Sequence, residues 1–205
     1  MSAWFYRLCC HIGRPVVRTT ICCRVLGEEN LPPRGGALLA VNHESFYDAM
    51  IVSGLLARPI RWLSGWQAVE PVWKPMLRWL DVIPVVAGSA GVRAAKSSIH
   101  HLRTGGLVGI FPEGKIRPLA SSVVGGGSVE ASIFKLARLA RVPVIPCVVL
   151  GSEVFGHWRS WLPGSGGRCV VALGEPMDAG RGDLAVAYAR AMCALYQRAC
   201  AERDR

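Results

Sequence analysis

Acidic side chains, closely spaced cysteines and long uninterrupted apolar runs are all scarce in this 205-residue chain. Each scarcity excludes something. Asp and Glu number 14 against 24 Lys and Arg, which leaves a net charge of +10 and suits partners that carry phosphate or an anionic surface. Charged residues make up only 19% of the chain while 51% is hydrophobic, so disorder is excluded. No stretch offers the roughly 20 clean apolar residues that a bilayer span needs. The best one, Ala131 to Leu150, is interrupted by Lys135, Arg138, Arg141, Pro143 and Pro146. The eight cysteines include two adjacent pairs, Cys9-Cys10 and Cys22-Cys23, but no C-x-x-C, so no metal site is expected. Arg7, His11 and Arg14 break the early apolar stretch and argue against a cleavable signal peptide. Reduced cysteines in a cytoplasmic protein follow, with thioacylation of Cys9 or Cys10 near a membrane as the alternative. Neither a zinc finger nor an aromatic RNA-binding motif is present, and the basic residues are scattered among Trp, Leu and Val. Lipid is therefore favoured over nucleic acid.

What is present is an alternation of strand and helix signals. In the first eighteen residues Arg7, His11, Arg14 and Arg18 recur at spacings of 4, 3 and 4, opposite Trp4, Phe5, Leu8, Ile12 and Val16. Such an amphipathic helix suits a bilayer interface, or equally an ordinary packing face. Residues 19–205 then read as one domain. Strands are expected over Thr19–Leu26, Ala37–Val41, Ile60–Leu63, Val82–Val86, Leu107–Phe111, Val144–Leu150 and Cys169–Leu173. Helices are expected over Ser45–Leu56, Pro71–Leu80, Val92–Thr104, Ser128–Ala140 and Asp183–Glu202, and a mobile Ser/Gly-rich loop over Pro118–Gly127. The expected fold class is α/β: a single domain with a largely parallel mixed sheet flanked by helices, preceded by the N-terminal amphipathic helix.

Two segments can carry chemistry. Asn42-His43-Glu44-Ser45-Phe46-Tyr47-Asp48 lies where a buried strand runs into a helix. On one continuous helix His43 and Asp48 would sit about 140° apart, at about 100° per residue. With His43 in the preceding loop, the turn can fold it onto Asp48, and the other ring nitrogen is free to accept a proton. Ser45-x-x-Asp48 also fits a helix-capping box, which would make Asp48 structural, and the two roles can coexist. The second segment is Phe111-Pro112-Glu113-Gly114-Lys115-Ile116-Arg117. Here Pro112 ends a strand, Gly114 permits a tight turn, and Glu113 beside Lys115 and Arg117 either holds substrate groups or forms a local ion pair.

Together, Asn-His-x-Ser-x-x-Asp and, roughly sixty residues later, Phe-Pro-Glu-Gly resemble the glycerolipid acyltransferase family, whose best-known members are the 1-acylglycerol-3-phosphate acyltransferases. Val142-Pro143-Val144-Ile145-Pro146 and Gly174-Glu175-Pro176 agree with its later motifs, so the resemblance spans Leu26 to Met177. It implies His43 as general base, Asp48 as its orienting partner, and acceptor binding by Glu113 and Arg117, with Gly114 and Lys115 of the same segment as further substrate-binding candidates. It implies a lysophospholipid acceptor, acyl-CoA or acyl carrier protein as co-substrate, and no cofactor or metal. The expected setting is peripheral, on the cytoplasmic face of a membrane. No G-x-S-x-G elbow is present, so transfer without an acyl-enzyme is expected.

The chain also departs from the family pattern. Members that form phosphatidic acid carry a basic residue after the middle Ile-Pro-Val strand, where Ile83-Pro84-Val85 here runs into Val86-Ala87-Gly88. They also carry Thr-Arg after Phe-Pro-Glu-Gly, where this chain has Lys115-Ile116-Arg117. A missing cation weakens phosphate binding by about 1.5–3 kcal/mol per charged hydrogen bond. Either Lys115, Arg117 or Arg93 compensates, or the acceptor is another lysolipid. Phe111 to Ser121 resembles bacterial members that reacylate lysophospholipids such as 2-acylglycerophosphoethanolamine. A transacylase or thioesterase, or a lipid-binding module without catalysis, are the competing expectations.

Overall fold

The computed structural model describes residues 23–65, 82–85, 89–162 and 168–205. The expected helices over residues 1–18 and Pro71–Leu80 lie outside the described residues.

Seven strands form one sheet: β1 (Cys23–Leu26), β2 (Ala37–Val41), β3 (Ile60–Gly65), β4 (Ile83–Val85), β5 (Leu107–Ile110), β6 (Val144–Leu150) and β7 (Cys169–Leu173). Their spatial order is β1-β7-β6-β2-β5-β3-β4. Every pairing is parallel except β6–β7, so β2 to β6 run one way while β1 and β7 run the other. The described helices are α1 (Asp48–Leu55), α2 (Ser89–Arg103), α3 (Lys135–Ala140) and α4 (Leu184–Arg203). The single α/β layer domain is as the alternating pattern indicates.

The apolar runs explain the layering. Every residue of β2, β5, β6 and β7 is buried, the signature of strands covered on both faces. One core joins Leu38, Ala40, Val108 and Val148 to Ala137 and Ala140 of α3 and to α4; the other joins Leu39, Val41, Ile145 and Val149 to Ile51, Val52 and Leu55 of α1. Leu184, Tyr188, Met192, Leu195 and Ala199 recur every three or four residues, and that stripe is the buried face of α4. Gly174-Glu175-Pro176 has a packing role. It carries the chain past Pro146, whose carbonyl accepts from Gly174 N at 2.9 Å, before pairing resumes between Val144 and Met177. The five described cysteines are free thiols, and burial pushes the Cys147 thiol up.

Three local expectations change. The helix after β2 begins at Asp48 rather than Ser45, because residues 43–47 are spent on a bend. The segment 118–127 is not an open loop but two short 3-10 turns, Leu119–Ser121 and Val123–Gly125, with Ser122, Val123 and Val124 buried. The helix expected from Ser128 is α-helical only from Lys135, after a 3-10 turn over Ala131–Phe134. Glu130 N donates to Pro112 O at 3.0 Å, which holds that stretch extended.

Because β2, β5 and β6 are adjacent and parallel, the residues that follow them gather at one edge of the sheet. Those residues are Asn42-His43, Phe111-Pro112-Glu113 and Gly151-Ser152.

Candidate active site

Asn42 is fully buried and prolongs the β2–β6 pairing with its side chain. Its Nδ2 donates to Val149 O at 2.9 Å, and its Oδ1 accepts from Val149 N at 2.7 Å. The chain then bends, so that His43 precedes α1 and folds back on the helix's first residue. His43 Nδ1 lies 2.9 Å from Asp48 Oδ2. The same oxygen accepts from Glu44 N at 2.9 Å and Ser45 N at 3.0 Å, while Asp48 Oδ1 accepts from Ser152 Oγ. A carboxylate can only accept, so Nδ1 carries the ring hydrogen and Nε2 is the basic nitrogen. Asp48 is 0% exposed and the His43 side chain 18% exposed, which buries the carboxylate and leaves the imidazole reachable.

The capping alternative is realised in part, and alongside the pairing. Asp48 reaches back to two backbone N–H groups as a capping-box acid does, and Ser45 Oγ accepts from Tyr47 N at 3.2 Å. One carboxylate therefore shapes the bend and holds the imidazole.

Aromatic rings fix the histidine's plane. The imidazole stacks on Phe111 with centroids 3.9 Å apart, and Phe111 stacks on Trp62 at 5.0 Å. Trp62 is anchored from below by Nε1 donating to Ser53 Oγ of α1 at 2.8 Å. Its ring lies across Gly109, its register partner on β5, where an added Cβ would come within 2.6 Å of the indole.

The turn after β5 closes over this pair. Gly114 has φ 69° and its N–H donates to Phe111 O at 3.0 Å, the tight turn expected of it. Arg117 N donates to His43 O at 2.9 Å, which ties the two motifs together through their backbones. Arg117 is half-buried, with Nε buried and without a hydrogen-bond partner, whereas Gly114 and Lys115 are exposed. Glu113 turns inward. It is 4% exposed, and its Oε1 accepts from Ser122 Oγ at 2.7 Å and Val123 N at 3.3 Å, leaving Oε2 buried and unpartnered. The local ion pair with Lys115 or Arg117 is not formed, because the carboxylate is engaged by the 118–127 segment instead.

Two further side chains, Ser152 and Glu44, belong to the site without a motif in the sequence that marks them. Ser152 stands two residues past the end of β6, beyond Gly151, and no local pattern in the sequence marks it. Glu44 follows His43, and its Oε1 is buried without a partner. Burial pushes its carboxyl up to about 8, helped by the charges of Asp48, Glu153 and Glu113 and opposed by Arg203. Among the described residues, no group of three His, Cys, Asp or Glu is placed to hold a metal ion. A cleft of about 360 Å³ between Arg138, Arg141 and Asp178 lies at the start of β6, the opposite end from His43, and stands apart from this site.

The arrangement is an imidazole held by a buried acid, with the turn that carries Arg117 tied to it through the backbone. Comparison with known proteins shows the family. A family model described as Acyltransferase matches residues 22–150. The 1-acyl-sn-glycerol-3-phosphate acyltransferase of Bacillus subtilis (strain 168) is 24% identical over 178 residues, spanning 84% of this chain and 82% of that protein. The fold is similar to the crystal structure of the 1-acyl-sn-glycerophosphate (LPA) acyltransferase PlsC from Thermotoga maritima. That likeness has a TM-score of 0.69 at 20% identity and covers 98% of this chain and 82% of the other.

Proposed function

Since the chain belongs to the acyltransferase family, we propose that it moves a fatty acyl group from acyl-CoA or acyl carrier protein to the free hydroxyl of a lysophospholipid, 1-acylglycerol-3-phosphate or a related lipid. The observation that carries this reading is the 2.9 Å contact between His43 Nδ1 and Asp48 Oδ2, which leaves Nε2 basic at the edge of a site closed by the 111–117 turn. The curated relative named for this acceptor class supports the choice of lipid.

The chemistry is a direct transfer. Nε2 of His43 removes the lipid hydroxyl proton as that oxygen attacks the thioester carbonyl carbon. The tetrahedral adduct collapses with cleavage of the carbon–sulfur bond, and the thiolate leaves with the proton that Nε2 had taken. Ester and thiol are the products. Asp48 keeps the ring aligned and balances the imidazolium that forms between the two steps. Arg117 is the cation for the lipid's phosphate, because its Nε is desolvated with no protein group to satisfy it. Exposed Lys115 adds charge at the mouth, and Gly114 gives the lipid head group close approach to the backbone. Glu113 holds the turn in place through Ser122 and keeps Oε2 as an acceptor for a glycerol hydroxyl. The setting we propose is peripheral, at the cytoplasmic face of a membrane, which a net charge of +10 supports. No described helix is long and apolar enough to cross a membrane.

The test is a radiolabelled acyl thioester incubated with and without a panel of lysophospholipids. Label should enter a diacyl lipid only when a lysolipid is present. His43→Ala should lower turnover by roughly 10²–10⁴-fold and leave lysolipid binding nearly intact. Release of free fatty acid regardless of acceptor would mean a thioesterase, and parallel loss of binding and turnover would make His43 a structural residue.

A further inference from the structure

The hydrogen bonds to Asp48 are unevenly distributed. Oδ2 receives His43 Nδ1, Glu44 N and Ser45 N, all from the three residues of its own bend. These contacts shape the bend, but they move with it and cannot fix it in space. Oδ1 receives a donor 104 residues away in sequence, Ser152 Oγ, and this is the contact that joins the carboxylate to the sheet. Ser152 is 0% exposed, so water cannot replace its hydroxyl. Its own place is fixed by the chain's exit from β6. Gly151 takes φ 86°, and a Cβ there would lie 2.4 Å from Arg168 O, so the turn that aims Ser152 at Asp48 requires glycine. Asn42, at the other end of the bend, is clamped to Val149. The catalytic bend is thus pinned at both ends to β6 and its immediate continuation.

We propose that Ser152 is a positioning residue of the acyl transfer, the third member of a Ser152–Asp48–His43 chain, which holds the carboxylate in the one orientation that keeps the imidazole aligned. The proposal rests on the reading of His43 as the base. A base that must meet a hydroxyl and a thioester in one geometry loses rate when its support loosens, even if substrates still bind. Removing the hydroxyl leaves Oδ1 as a buried carboxylate oxygen without a donor, and the group can recover hydrogen bonds only by rotating away from His43. Substrate affinity resides in the 111–117 turn, which Ser152 does not contact in any hydrogen bond. The expected signature is therefore a fall in kcat with little change in KM.

The experiment compares wild type, Ser152→Ala, Ser152→Thr and His43→Ala, each checked by thermal melt. Steady-state kinetics are measured with varied thioester and varied lysolipid, together with the proton resonance of the His43 Nδ1–H group. Ser152→Ala should lower kcat roughly tenfold or more, as loss of a hydrogen bond to a charged group does, with both KM values within about twofold of wild type. Ser152→Thr, which keeps the hydroxyl, should restore most of the rate. If its added methyl prevents folding, kcat and the Nδ1–H resonance of Ser152→Ala decide alone. The Nδ1–H resonance should shift or broaden in Ser152→Ala and return with the hydroxyl. A kcat within twofold of wild type in Ser152→Ala, or a folded Ser152→Thr no better than Ser152→Ala, overturns the proposal. If wild type transfers no acyl group to any lysolipid, the functional reading has failed instead, and the Nδ1–H resonance still decides whether Ser152 positions His43.

Discussion

Glu44 sits one residue past His43 with Oε1 buried and no group to meet it, and its carboxyl is pushed up to about 8. The charges that face it are Asp48 on α1, Glu153 after β6, Glu113 on the closing turn and Arg203 on α4, three negative and one positive. At neutral pH the group is therefore protonated in the folded protein, whereas in the unfolded chain it ionises around its ordinary 4.5. The folded state holds the extra proton between these values. The stability tied to it is complete below about 4.5 and is lost as pH rises through about 8. Glu44→Gln cannot ionise and should escape that loss. Denaturant melts should show the variant equal to wild type near pH 4 and more stable by about 1–3 kcal/mol at pH 9, partial exposure of the group screening the rest. A gap that does not widen with pH would mean that Glu44 ionises normally. The His43–Asp48 contact was legible in the sequence because a single bend of six residues makes it. Ser152 was not, because no local pattern shows which distant strand end will lie beside Asp48.

The aromatic stack is a property of two strands and a helix. Trp62 on β3 can lie flat over β5 only because residue 109 has no side chain, and its indole is held by Ser53 of α1. Phe111 rests on the indole and His43 on Phe111. Gly109→Ala places a methyl against the ring and must tilt it, an overpacking that costs about 1–3 kcal/mol. The tilt passes up the stack to the base, so turnover should fall along with stability. Adding Trp62→Phe, a smaller ring, should return part of both, and simple additivity of the two losses would disconnect the stack from the site. Elements were readable where burial dictated them, as in β2 and β6. They differ from the expected bounds where a hydrogen bond overrides helix or loop preference: Glu130 held by Pro112, Ser122 by Glu113, and the bend after β2 by Asp48.

The whole molecule combines one sheet edge that carries the proposed site with a large excess of positive charge. The parallel sheet was legible because apolar runs alternate with amphipathic segments over the full chain, a signal that survives errors of a few residues at each end. Where charge acts is a separate question. The proposed acceptor is a lipid, so the protein must work against a surface, and +10 draws it to an anionic one. The turn beside the base adds apolar contact: Ile116 is 49% exposed and Leu119 45% exposed, next to exposed Lys115. The basic and apolar stripes read from residues 1–18 would add to both forces. Charge attraction is screened within about 10 Å at 0.1 M salt and about 3 Å at 1 M, while apolar insertion is not. Co-sedimentation should therefore be stronger with phosphatidylcholine vesicles that contain phosphatidylglycerol than with phosphatidylcholine alone. The difference should vanish near 1 M salt, and a residual, salt-insensitive fraction should shrink when residues 1–18 are deleted. Equal binding to both vesicle types at low salt would remove charge from the mechanism of docking, and unchanged binding after the deletion would leave the 115–119 turn to carry the apolar contact.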